Sequence, residues 1–291
     1  MKTLLFGLAL ALVPAAVSAQ TLTVTNAPVV WFDASFGVAL DGSSWQDKSG
    51  NGHHASALVG QAPTLNMAGP GGLPTLDFAG GQTMLLAGSP AIGPTWSIYA
   101  VVTDTGPAPG LRNILSNWHP SNSFTSMFMG TVGATPSGRF TDDVGGAFVG
   151  NVGVGTITTP ADPFILAGHR VFNGATAALD LTQYSGSGLT ANLLGSASGT
   201  TVGGSNATTP FYIGRQGALA GEYWQGAISE ILVFSGTLSS SDRKNVRQYL
   251  GEKYLGTVAA VPEPSTWLQL LFGFAFTGLL ARRRALKRAA A

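Results

Sequence analysis

Short apolar runs alternate with polar positions along most of this chain, each closed by Gly, Pro, Asn or Ser, and that pattern predicts β-strands. Thr95 to Thr103 is the cleanest case. Trp96, Ile98, Ala100 and Val102 fall on one face, and Ser97, Tyr99 and Val101 on the other. Val29 to Asp33, Pro74 to Phe78, Asn113 to Trp118, Phe164 to Val171, Ala177 to Tyr184 and Phe211 to Gly214 read the same way. Ala227 to Phe234 is apolar on both faces after Ser229 and Glu230, which predicts a central, buried strand. The period then lengthens once. Ser239 is a suitable N-cap with Asp242 three positions on, and Val246, Tyr249, Leu250 and Lys253 share a helical face. Gly256 can close that helix, so a single long helix is predicted from Ser239 to Leu255. Gly195 to Thr209 is poor in apolar residues and reads as a long surface loop. Many short strands and one helix predict an antiparallel sandwich or barrel.

Both ends of the chain break the pattern. Residues 1–19 carry Lys2, an apolar stretch from Leu4 to Val13 and the small residues Val17-Ser18-Ala19, as a cleaved secretory signal does. Residues 261–291 begin with Val261-Pro262-Glu263-Pro264-Ser265, continue as an apolar run from Trp267 to Ala281, and end in Arg282-Arg283-Arg284 and Lys287-Arg288. Pro262 and Pro264 lack backbone donors and bias their predecessors toward extended backbone, so the helix must start after them. The apolar run has 15 residues. As a helix it would rise about 22 Å, short for a bilayer core of about 30 Å. The cations beyond it favour the cytoplasmic side, which places everything before Pro262 outside the inner membrane.

Composition changes the picture in two ways. The formal charge is +1, with 15 Lys and Arg against 14 Asp and Glu. Lys2 and the five tail cations belong to the targeting segments, as does Glu263, so residues 20–260 hold nine cations against thirteen acids, a net of −4. That balance argues against nucleic acid as a partner. The chain has no cysteine, which excludes disulfides and thiolate metal sites and leaves stability to apolar burial.

Two resemblances add to this reading. Pro262-Glu263-Pro264, a short helix and a terminal Arg cluster resemble the PEP-CTERM sorting signal of Gram-negative bacteria. The resemblance implies recognition by an exosortase, removal of the tail helix, and delivery to the cell surface or exopolysaccharide. Pro262, Glu263, Pro264, Arg282, Arg283 and Arg284 would carry that sorting. The second resemblance rests on two blocks. One is Val30-Trp31-Phe32-Asp33-Ala34 with Trp45-Gln46-Asp47-Lys48-Ser49-Gly50-Asn51-Gly52. The other is Phe211-Tyr212-Ile213-Gly214-Arg215, Trp224 to Glu230, and the helix ending Tyr249-Leu250-Gly251-Glu252-Lys253-Tyr254. They resemble the entry and exit of LamG-like jellyroll domains of the concanavalin A-like superfamily. The fold so implied for 20–260 is all-β, two antiparallel sheets in a jellyroll sandwich with one C-terminal helix on the domain, followed by the separate hydrophobic tail helix. Such domains often bind glycans, sometimes with calcium.

Candidate chemistry is sparse. Asp47, Ser49 and Asn51 alternate as oxygen ligands of a calcium loop do, with Gly52 at the sixth position. The twelfth is Leu58, where such a loop needs Glu. The same residues also make side-chain-to-backbone turns. His53 and His54 are adjacent and would point apart in a strand. No Glu-x-Asp-x-Glu run, Gly-x-Ser-x-Gly elbow or plausible Ser/His/Asp set is present, and Asp142-Asp143 read as part of a Gly-rich turn. Trp118-His119-Pro120 and Tyr223-Trp224 are the candidate aromatic platforms for sugar rings. Trp118 continues the alternation set by Ile114, which points it inward. The polar His119-Pro120 after it ends the strand, which places Trp118 and His119 at a ligand rim. Three functions compete: a non-catalytic glycan-binding or adhesion protein of the surface matrix, an inert matrix protein, and a secreted glycan hydrolase.

Overall fold

The computed structural model describes residues 21–106, 110–118, 126–133, 137–144, 147–152, 155–200 and 209–256. The predicted signal and the whole sorting tail lie outside them. The described residues form two antiparallel sheets and one helix, a jellyroll sandwich as the sequence predicts.

The first sheet contains β1 (Val30–Asp33), β4 (Thr64–Asn66), β5 (Thr75–Ala79), β7 (Trp96–Val102), β12 (Phe164–Phe172), β13 (Thr176–Ser185), β14 (Thr190–Thr200) and β16 (Gln225–Ser235). Its order is β14-β13-β12-β7-β16-β5-β4, with β1 also paired to β16. The second sheet contains β2 (Ser44–Trp45), β3 (Ala55–Ala57), β6 (Met84–Leu86), β8 (Leu111–Ser116), β9 (Ser126–Val132), β10 (Ser137–Val144), β11 (Ala147–Val152) and β15 (Tyr212–Ile213). Its order is β11-β10-β9-β8-β15-β6-β3-β2. Asp142 and Asp143 belong to β10, not to a turn. Gly195 to Thr200 complete β14, not a loop, and 201–208 of the predicted loop lie outside the described residues.

The core between the sheets takes one alternating face from each long strand. Trp96, Ile98, Ala100 and Val102 of β7 meet Ile114, Met127, Met129 and Ile213 of the second sheet, with Trp45 and Trp224 among them. β16 is central, lying between β7 on one side and β5 and β1 on the other. Its apolar side chains are therefore buried on both faces, as predicted.

α1 (Ser240–Tyr254) covers part of the outer face of the first sheet. Ser239 caps it, accepting from Asp242 N at 3.0 Å and donating to Asp242 Oδ2 at 2.9 Å. Val246, Tyr249, Leu250 and Tyr254 press onto Tyr99, Val101, Ile165, Ala167, Leu232 and Phe234. At roughly 2 kcal/mol for each large side chain removed from water, this second core is what keeps the helix on the sheet. The outer face of the second sheet has no such cover among the described elements.

Candidate functional site

A bulge decides where the candidate aromatics point. Between Asn113 and Leu115 the pairing of β8 with β9 shifts by one residue, so Ile114 and Leu115 both enter the core. Beyond the bulge the phase is reversed. Ser116 lies opposite Phe128 and Tyr212, on the outer face of the second sheet, while Met129 and Ile213 next to them point inward. Trp118 follows Ser116 and packs on Phe128, with ring centroids 6.4 Å apart. It is half-buried just past the strand end, and the predicted inward continuation from Ile114 does not hold. His119 lies outside the described residues.

The outer face thus carries one row across the strands. Ser56 is exposed, Leu85 and Tyr212 are half-buried, and Ser116 and Phe128 are covered. The loop from Gly214 to Trp224 closes one side of this row. Arg215 stacks its guanidinium 4.1 Å from the Tyr212 ring centroid, and its Nε donates to the Gly217 carbonyl at 2.7 Å. Ala218 N donates to the Trp118 carbonyl at 2.8 Å. Gly217 has φ +87°, and a Cβ there would meet that same carbonyl oxygen at 2.3 Å, so only Gly lets the loop lie on Trp118. Glu222 takes φ +50°, a costly conformation for a side chain with Cβ. It is held there by two bonds: its carbonyl accepts from Asn113 N at 2.9 Å, and its carboxylate accepts from Asn113 Nδ2 at 2.6 Å. Aromatic edges, a guanidinium and a carboxylate are thereby grouped on one face of the sandwich. Sequence reading reached Trp118 but missed Tyr212, Arg215 and Glu222, which only the pairing of β15 with β8 brings to it. Trp224, the other candidate platform, is fully buried in the core.

The Asp47 turn is self-contained. Asp47 Oδ1 accepts from Trp31 N at 3.0 Å and Ser49 N at 2.9 Å, and Oδ2 accepts from Ser49 Oγ at 2.8 Å and His53 N at 3.0 Å. Asn51 Nδ2 donates to the Val29 carbonyl at 3.0 Å. The three oxygen residues thus tie the turn to the start of β1. The two imidazoles diverge: His54 Nδ1 accepts from Asp47 N, and His53 Nδ1 meets the Ala87 carbonyl.

Two buried constellations were not anticipated. Asp33 and Glu230 are directly opposed between β1 and β16, and both receive Lys253 Nζ, at 2.8 and 2.7 Å. Lys48 Nζ also reaches Asp33 at 2.8 Å. Trp31 Nε1, Tyr249 OH and Tyr254 OH donate to Glu230 at 2.7, 2.9 and 2.8 Å. Burial would raise Asp33, but Lys253 and Lys48 hold its carboxyl below the ordinary range. Burial dominates at Glu230 and pushes it up, against the pull of Lys253. The two carboxylates are close enough for glycoside chemistry, yet they sit under α1 and every neighbour is a donor from the fold itself. They clamp the helix.

The second constellation is a row across the first sheet in which buried Ser97 and His169 and half-buried Asp180 are successive register partners. His169 Nδ1 lies 2.8 Å from Ser97 Oγ. Burial, helped by Arg243 and Arg247 of α1, lowers His169 to about 3. An imidazole so reluctant to take a proton is a poor general base near neutral pH.

No protein-family model and no curated protein matches the chain. Solved structures do, at the level of fold. Domain 4 of AbnA, a GH43 extracellular arabinanase from Geobacillus stearothermophilus solved in complex with arabinotriose, aligns with a TM-score of 0.53 and 12% identity. The match covers 77% of this chain and 99% of that domain. A GH54 α-L-arabinofuranosidase aligns with a TM-score of 0.50 and 16% identity, over 76% of this chain and 53% of that enzyme.

Proposed function

We propose that this protein is an exported, non-catalytic glycan-binding sandwich of the surface matrix, and that it holds sugar on the outer face of its second sheet. The observation that carries the reading is the pair of half-buried rings Tyr212 and Trp118, seated on the covered Phe128, with Arg215 and Glu222 beside them. Sugar rings present flat apolar faces edged by hydroxyls, and a site for them pairs aromatic surface with fixed polar groups. In support, the arabinanase domain that aligns over almost its whole length was solved with arabinotriose. The separate LamG-like resemblance points the same way. A binding role fits better than hydrolysis, because Asp33 and Glu230 are buried under α1 and bonded within the fold, and His169 is buried with its pKa held far below neutral. Export follows from the secretory signal at 1–19. Sorting by an exosortase follows from Pro262, Glu263, Pro264 and the Arg282-Arg283-Arg284 cluster, with the inner membrane as the partner before processing. Glycan-array binding of the purified protein tests the reading. Retention of defined oligosaccharides, weakened by Tyr212→Ala, is the expected result; an array with no retained glycan, or turnover of one, would overturn it.

A further inference from the structure

We infer that the sandwich has a second glycan site on its opposite side, so that one copy can join two polysaccharide strands; this rests on the sugar-binding reading of the second sheet. The outer face of the first sheet is only partly covered by α1. Past the irregularity between Ile228 and Glu230 in β16, an open cleft of about 310 Å³ remains. Asn66, Thr75, Asp77, Thr103 and Thr105 line it, together with Gly226 and Ala227.

Asp77 is the one charged residue of the cleft lining. Thr75 Oγ1 donates to its Oδ1 at 2.9 Å, and Asn66 Nδ2 donates to its Oδ2 at 3.0 Å. Each oxygen thus receives one fixed donor and keeps lone-pair capacity for another. A carboxylate held in one plane this way accepts two hydroxyls from adjacent carbons, the arrangement a pyranose or furanose ring offers. Thr103 Oγ1 accepts from Ala227 N at 3.0 Å, which leaves its hydroxyl hydrogen to donate. The charge of the lining selects further. It contains one carboxylate and no Lys or Arg, so phosphates and acidic sugars are repelled. A lone carboxylate is also too few oxygens of charge to hold calcium. The volume lies at the lower end for ligand sites and suits one or two sugar units. A neutral glycan with a vicinal diol is the ligand class that remains.

The test is stoichiometry on the full-length protein, with arabinotriose, xylotriose and mannotriose titrated separately by calorimetry. Two sites per chain are expected for at least one of them, falling to one site on Asp77→Ala. Thr105→Tyr fills the cleft without touching the Asp77 bonds and should give the same one-site result if the alanine variant unfolds. Tyr212→Ala should also leave one site, the one in the cleft. A wild-type stoichiometry of one that Tyr212→Ala abolishes and Thr105→Tyr leaves intact overturns the inference while the first site stands. Binding that only the cleft variants abolish supports the cleft and removes the second-sheet site. No uptake of any of the three overturns the cleft, for which each supplies the neutral vicinal diol.

Discussion

Replacing Lys253 with Met removes the cation that joins Asp33 and Glu230 while keeping a stem of similar length. Removing one partner from a buried pair costs about 3–5 kcal/mol, because the remaining charge stays out of water. Two features of this site reduce that figure. Asp33 keeps Lys48, and Glu230 keeps Trp31, Tyr249 and Tyr254 as donors. The Lys253 side chain is also 13% exposed, so water partly screens it. A loss of about 2–4 kcal/mol is expected from urea unfolding, with an unchanged slope. Lys253→Met combined with Glu230→Gln should recover part of it, since the uncompensated charge is gone. The pH dependence has a definite sign. Without Lys253 the folded-state pKa of Glu230 rises further above its ordinary 4.5, so the folded variant holds that proton more tightly than the unfolded chain. Its stability should therefore fall as pH rises from about 4.5, and its deficit against wild type, which sets in above the raised wild-type Glu230 pKa, should be larger at pH 7 than at pH 4. A deficit below about 1 kcal/mol at pH 7, or one that shrinks as pH rises, would refute the clamp.

Ile231→Ala and Phe234→Ala remove fully buried groups from the central strand, and each should cost about 2–5 kcal/mol by chemical denaturation. Trp118→Ala should abolish binding at the second-sheet site yet cost less than about 1.5 kcal/mol, because its side chain is only half-buried on the outer face. Gly217→Ala should weaken binding through the loop, as its Cβ would collide with the Trp118 carbonyl; an unchanged affinity would show that the loop does not shape the site. Changing Pro262, Glu263 and Pro264 to Ala should leave the precursor in the inner membrane, and an intact mass that still includes 267–291 on surface protein would count against processing.

Long alternating strands and the capped helix were legible in the chain, because each is set by local periodicity. β7, β12, β13 and β16 bury one or both faces along their whole length, so the alternation is strong. β14 was not legible at all, and its second half was read as loop. It is an edge strand that contributes little more than Leu194 and Ala197 to the core, so Gly195 to Thr200 look like loop. Asp142 and Asp143 were misread for a related reason, since their paired neighbours β9 and β11 carry Gly130 and Gly150. The candidate site was half legible. Trp118 could be named, but its orientation depends on a one-residue bulge that leaves no mark in composition. Tyr212, Arg215 and Glu222 are about a hundred residues away in sequence from Trp118, and only strand pairing gathers them. The same holds for Asp33 and Glu230, whose opposition across two strands no spacing rule reveals.

The central claim is that sugar rests on the outer face of the second sheet. Calorimetric titration of the glycan that an array returns into wild type and Tyr212→Ala, both shown to be folded by circular dichroism, addresses it directly. The account predicts at least a tenfold weaker affinity for the variant at this site, about 1.4 kcal/mol or more. Equal affinity in the two proteins would contradict it.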